Sequence, residues 1–467
     1  MNANSAILEK TEPNGTPRRE LSTLDATSIV VGIIVGASIY KSSPDVAANV
    51  PGLTALLLLW LAGGLIALSG ALCYAELATM LPHSGGEYVY LTRAFGRRVG
   101  YLYAWGELLV VRPGSIGAVS FVFAIYAQNL LPLKMDDSSA QLLYAVGAVT
   151  VLSILNLIGI KQGKWTQNIL AAVKLLGLLA IVAVAAGLPS QLSAPAVDSP
   201  GWQPSYSLAL ILIMFAYGGW NEIAFVAAEV HDPRRSIPRV LITGLAIVTT
   251  IYLLVNFAFA YGLGWQQFGE SQAVATDLVQ LKFEKIGGRL ISALICISTL
   301  GAINGQLFTG GRIHYAFGVD HPWYPGLNRW NSHRSTPSVA LVVQLITCLV
   351  PIVVFGRGGS NGFENLVVFT TPIFWFFLLL VGVSLIVFRY RRSDLPRPFK
   401  VPLYPLTPLL FCTSSALMLY ATFSYAWHKQ QASELLWAAG IMLVGFALSF
   451  WRPAGHKANG TIADAQK

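Results

Sequence analysis

Long apolar stretches recur along this chain, and they constrain its fold more than any other feature. Predominantly apolar runs fall at 24–48, 53–80, 98–131, 140–160, 166–187, 206–230, 237–263, 288–318, 337–356, 363–388, 403–428 and 434–452. About 20 apolar residues cross a bilayer as a helix, and lipid tolerates only spans whose backbone polar groups are satisfied internally. The expected fold is an all-α integral membrane protein with twelve transmembrane helices. Composition agrees: 54% of the 467 residues are hydrophobic and 11% charged, where a soluble domain carries roughly a quarter charged residues.

An even number of spans places both termini on one side, and the Lys/Arg bias of the loops identifies that side. The termini and even-numbered loops hold 22 of the 31 basic residues and the opposite loops 6, while Lys41, Arg112 and Lys174 fall inside spans. Both termini are expected in the cytoplasm, with the protein multi-pass in the plasma (cell inner) membrane. The net charge of +9 then reflects topology. No nucleic-acid partner is expected, because no basic run interleaves with aromatics on a soluble module. The first 20 residues are polar and carry three acids, so no signal peptide is expected. Cys73, Cys296, Cys348 and Cys412 lie within spans without metal-like spacing; neither disulfides nor metals nor any other cofactor is expected. Two triplets fit the glycosylation pattern, at 14–16 and 459–461, but both would face the cytoplasm and are discounted.

Two spans are poor helices. The first carries GASIY at 36–40 and the sixth carries MFAYGGWNEIAF at 214–225, five spans later. Gly36 and the pair Gly218, Gly219 lower helix propensity by about 1 kcal/mol each, and unwinding bares backbone groups that need partners in lipid. Paired Gly-interrupted segments at matching positions point to a transporter of inverted five-helix repeats, broken at the bilayer midplane. A half-helix N-terminus suits a carboxylate and half-helix carbonyls suit an ammonium group, so a zwitterionic amino acid matches both. Close helix packing would explain either glycine segment alone; the matched spacing favours the breaks. The expected organisation is a cytoplasmic tail (1–23), a 5+5 inverted-repeat core (24–400) with helices 1 and 6 unwound, two additional transmembrane helices (401–452) and a second cytoplasmic tail (453–467).

Lys174 lies roughly 14 Å from the nearer end of its span at 1.5 Å per residue, too deep to reach water easily. Such a residue faces a cavity or a partner; it could exchange a proton or pin helices permanently. Arg112 is also deep. Residues five apart do not share a helical face, so an ion pair between Glu107 and Arg112 is not required, and Arg112 reads as scaffold. Glu222 is the one acid close to the second break, either lining a cavity or pairing toward the cytoplasm. Phe215 precedes that break and could close over a substrate.

Several motifs are more specific: GALCYAELATMLPHSGGEYVYL (70–91), ELLVVRPGS (107–115), AAVKLLGLLAI (171–181), FAYGGWN (215–221), AEVHDPRRSIPRV (228–240), SQAVATDL (271–278) and NGQLFTGGR (304–312). Together they resemble the L-type amino acid transporters, the light-subunit-like branch of the amino acid–polyamine–organocation superfamily, over residues 24 to about 400. The resemblance implies alternating access, with the backbone of Gly36, Ala37 and Ser38 on the substrate carboxylate. The carbonyls of Phe215, Ala216 and Gly218 would lie near its ammonium, and Phe215 would act as gate. Ile39, Tyr40, Tyr217 and Gly219 complete the expected pocket, with Asn221 as a pocket or hinge residue. Lys174 would replace a sodium ion, linking carbonyls of Gly32 to Val35 with Ser298, so that transport is sodium-independent.

Departures bear on specificity. The family's Gly-Ser-Gly-Ile-Phe reads Gly36-Ala37-Ser38-Ile39-Tyr40 here; Ser38 narrows the pocket and Tyr40 adds a hydroxyl. Lys41 is an extra cation, expected to point into the outer vestibule. The loop LPLKMDDSSAQ (131–141) lacks the cysteine that ties animal members to a heavy chain, so no covalently linked heavy chain is expected. The leading expectation is a sodium-independent L-amino acid transporter, an exchanger of neutral substrates. A proton-coupled symporter using Lys174 is the alternative, and a sensor without flux is a further one. An enzyme is not expected, since the histidines are scattered in or near loops and form no catalytic group.

Overall fold

The computed structural model describes residues 18–192, 205–356, 362–428 and 432–450. The tails 1–17 and 451–467, with both glycosylation-like triplets, and the loop cations Arg357 and Lys429 lie outside the described residues. The helices are α1 Thr23–Ile34, α2 Ser38–Ala48, α3 Leu53–Met80, α4 Glu87–Phe95, α5 Arg97–Gly106, α6 Arg112–Leu130, α7 Asp137–Ile158 and α8 Ile160–Ala186. They continue with α9 Tyr206–Ala216, α10 Pro233–Leu263, α11 Trp265–Glu270, α12 Val274–Asp320, α13 Ser338–Gly356, α14 Gly362–Arg391, α15 Leu406–His428 and α16 Ala432–Leu448.

Among the described residues, ten helical segments are long and apolar enough to cross a membrane, or eleven if the bent pair α1 and α2 counts as one. The expected twelve differs at the last segment, where the described helix α16 has 17 residues. Leu58, Leu61 and Leu65 of α3 and Leu176 and Leu179 of α8 stand exposed on the outer surface. With no polar residue to favour water there, these faces are the lipid boundary.

The first apolar segment is bent at its glycine-containing stretch. Helix α1 starts at a capping box, in which Ser22 and Asp25 satisfy each other's amides. It stops at Ile34, and α2 resumes at Ser38 at an angle of 49°. In the sixth segment α9 ends at Ala216, Gly219 turns in the left-handed region (φ 111°), and a 3-10 helix runs over Trp220–Glu229. A side chain at Gly219 would meet Ile33 at 2.7 Å, so the two interruptions touch one another.

The end of the bundle where α1 begins is the entry end; the opposite one is the far end. The entry end is stitched by charge. Arg312 of α12 grips Glu229 through two bonds of 2.8 and 2.9 Å, both side chains almost wholly buried. Glu76 of α3 receives Arg389 at 2.8 and 2.5 Å and the Val401 amide at 2.7 Å, with Arg397 at 3.4 Å. Lys164 of α8 reaches Asp25 of α1 at 3.2 Å, and Leu21 lies beside Val230 as a short parallel bridge.

Candidate functional site

The two interruptions open onto one cavity of about 560 Å³. Its walls come from the α1–α2 and α9 breaks, α6, the start of α12 and α14. It runs toward the far end, past Lys41, Asp45, Gln272, Phe363 and Glu364. Of the residues expected to form the pocket, Gly36, Ala37, Ser38, Tyr40, Phe215, Gly218, Gly219 and Asn221 line it. Ile39, Ala216 and Tyr217 do not; Ile39 and Tyr217 are fully buried and Ala216 nearly so. At a broken helix only part of each turn can face the void, and these three point into the packing behind it.

The break backbone is partly committed. The Gly36 amide turns back to the Ile34 carbonyl at 2.8 Å, so Gly36 contributes space: a Cβ there would meet nothing closer than that carbonyl at 3.9 Å. The start of α2 at Ser38 leaves its first amides without intrahelical acceptors. Across the cavity the Phe215 carbonyl accepts from Gly218 at 3.2 Å. The hydroxyl of Tyr252, on α10, lies 3.1 Å from both the Ile34 and the Ala216 carbonyls. It has one proton to donate, so it ties the two breaks together through one bond at a time. Tyr252 lies in a predominantly apolar helix, and no local signal in the sequence marks it.

Lys174 sits behind the first break, fully buried. Its ammonium donates to the carbonyls of Gly32 at 2.6 Å, Val35 at 2.8 Å and Ser298 at 2.9 Å. All three N–H donors are used, on carbonyls from two helices, and Ser298 adds a hydroxyl bond to Val35 at 3.1 Å. Gly301 is required beside it, since a Cβ there would lie 2.9 Å from Nζ. Neither Lys174 nor Ser298 touches the cavity.

Arg112 is paired after all. A π-helical turn over Glu107–Val111 interrupts the α5–α6 span, and its i to i+5 bonding brings residues five apart onto one face. Glu107 Oε2 then lies 3.4 Å from Arg112 Nε. Arg112 also reaches both oxygens of Glu222, at 2.8 and 2.9 Å, and Thr309 donates to the same carboxylate. Glu222 thus lines the cavity floor and is ion-paired at once. Asn221 lines the same floor and donates to Glu87 at 2.9 Å. Phe215 is 42% exposed at the cavity wall, facing a space also bounded by Phe374 and Trp375. Lys41 lies at the mouth with its ammonium 4.7 Å above the Phe363 ring. One histidine departs from expectation: His314 is buried inside α12 rather than near a loop.

Residues 21–447 match the family model described as amino acid permease. The chain belongs to that family. The permease is 31% identical over 423 residues to the b(0,+)-type amino acid transporter 1 of Homo sapiens, covering 89% of this chain and 85% of the relative. It is 30% identical over 407 residues to the large neutral amino acids transporter small subunit 2 of Mus musculus, covering 84% and 75%. It is 29% identical over 417 residues to the serine/threonine exchanger SteT of Bacillus subtilis, covering 88% and 92%. These relatives place the permease in the L-type, light-subunit-like branch of the amino acid–polyamine–organocation superfamily. It is a multi-pass membrane protein that transports amino acids, and it is not an enzyme.

Proposed function

We propose that this permease is a sodium-independent exchanger of neutral L-amino acids, working by alternating access. The observation that carries the reading is the Lys174 ammonium, which bridges the Gly32 and Val35 carbonyls beside the first break to Ser298 of α12. A fixed cation there does structurally what a bound metal ion would do, without needing one to arrive with the substrate. The amino acid would lie between the breaks, its carboxylate at the free amides that begin α2 and its ammonium near the carbonyls of Phe215 and Gly218. Phe215 would close over it. The space beside Gly36 and the contact between Ile33 and Gly219 support that placement. Exchange is supported by likeness to a relative named as an exchanger.

On this reading the twelve spans form an inverted-repeat core over 24–400 followed by two further helices over 401–452, with α16 as the last span. The entry end faces the cytoplasm, both termini are cytoplasmic, and the protein resides in the plasma (cell inner) membrane. The cavity is then outward-facing and the ionic stitching closes the inner gate. A relative's name marks it as a small subunit; this chain is proposed to act without a covalently linked heavy chain, its four cysteines being buried or half-buried. The test is uptake of labelled neutral amino acids into proteoliposomes, empty or preloaded with the same unlabelled compounds, with and without sodium. Uptake confined to preloaded vesicles and indifferent to sodium is the expected result. Equal uptake into empty vesicles would reject exchange, and a sodium requirement would reject the role of Lys174.

A further inference from the structure

At the cavity floor lies a second buried polar group, and its charges do not balance. Glu87, Glu107 and Glu222 lie together with one guanidinium, that of Arg112, and these four residues are between 2% and 8% exposed. Glu222 and Glu107 both face Arg112. Glu87 has only neutral donors, the Tyr74 hydroxyl at 2.6 Å and the Asn221 amide at 2.9 Å. The other titratable groups facing the cluster are Tyr74 from α3, Tyr90 from α4, Tyr103 from α5, His314 from α12 and Cys348 from α13. Arg112 is the permanent cation among them.

An unpaired carboxylate at such depth costs several kcal/mol, so the excess negative charge needs a positive partner. Glu107 Oε2 is buried without a hydrogen-bond partner, as is Arg112 Nε opposite it. Glu87 does not reach the cavity surface. Glu107 borders the cavity but its Oε2 is buried, and Glu87 lies behind Asn221. A proton is the cation that fits at both. Lys174 cannot serve in its place, because all three of its N–H donors are held by carbonyls, and removing one would leave a buried acceptor unmatched.

We propose that Glu87 and Glu107 form a shared proton-binding site beside the Arg112–Glu222 ion pair, joined to the substrate cavity through Asn221 and Arg112. A hydronium ion in the cavity water loses one O–H bond and becomes neutral water as the carboxylate oxygen forms one, adding one positive charge to the cluster. The pH dependence of transport then originates there rather than at Lys174. The inference rests on the exchanger reading for its effect on transport but not for the proton site itself.

Two measurements on the full-length protein test it. Infrared difference spectra of the purified permease in lipid, taken across neutral pH without substrate, should show a buried protonated carboxyl band. That band should weaken in Glu87→Gln or Glu107→Gln. Absence of the band in the unaltered protein overturns the proposal whatever the protein carries. In proteoliposomes loaded with L-alanine, labelled L-alanine exchange should fall by about tenfold between about pH 6 and pH 8.5, as carboxylates that work protonated lose their proton. Glu87→Gln, which keeps both hydrogen bonds and stays neutral, should hold the acidic-side rate across that range. A wild-type pH profile in both Gln variants overturns the proposal. If the unaltered protein exchanges no amino acid at all, the transport reading fails and the infrared result decides the proton site alone.

Discussion

The two ends of the bundle are held together by different forces. At the entry end, Glu229–Arg312, Glu76 with Arg389 and Arg397, and Asp25–Lys164 join helices far apart in sequence. Above the Arg112–Glu222 floor of the cavity, by contrast, aromatic rings supply much of the wall, and Phe215, Phe374 and Trp375 bound an open space. A buried ion pair is costly to break because each partner is left uncompensated away from water, whereas aromatic surfaces can shift against one another through many shallow contacts. If the permease works by the proposed alternating access, opening the entry end would have to bring water to these charges, whereas the aromatic wall could shift around whatever lies in the cavity.

The comparison can be broken at several points, starting with the largest expected effect. Arg312→Ala strands Glu229 where both side chains are at most 1% exposed, and should cost about 3–5 kcal/mol of stability. Thermal unfolding in detergent would read this, and a melting temperature equal to the parent's would refute the latch. Lys174→Ala removes the donor of three buried carbonyls and should lower exchange by about 100-fold, since unmet buried groups cost about 1–3 kcal/mol each. Parental rates from a monodisperse preparation would remove Lys174 from the site. Phe215→Ala should slow exchange by about tenfold with melting unchanged, as expected of a gate whose contacts form only on closure; unaltered kinetics would exclude it as the gate. Tyr252→Phe loses one hydrogen bond between the breaks, worth about 1 kcal/mol, and should slow exchange by about fivefold. A larger fall in stability than in exchange would make Tyr252 a packing residue.

How much of this was legible in the sequence depended on whether the signal was local. Apolar run length located the helices, because each span must satisfy its backbone internally. The glycines at 36 and 218–219 lie where regular helix stops in both segments, and the depth of Lys174 pointed to a buried partner. The carbonyls it binds came from the family resemblance. Long-range geometry escaped. Nothing near Tyr252 says that its hydroxyl lies between two carbonyls from other helices. Glu87 looks like an ordinary helix-start acid until Asn221 and Tyr74 close around it. The pairing of Glu107 with Arg112 was obscured by the assumption of a regular helix, which the π turn violates.

That turn makes one stretch of the protein tolerant of a change in length. Leu108, Leu109 and Val110 fill the widened turn, and many apolar replacements would fill it as well. A π turn holds one residue more than an α turn, so removing any one of them would let the ladder close as an ordinary α-helix with the residues beyond it still facing the same way. Arg112 would then follow Glu107 by four residues, again on one face, and the wall that α6 lends to the cavity would keep its orientation. A single-residue deletion elsewhere in the α5–α6 span would instead turn everything beyond it by about 100°, and should be the more damaging of the two.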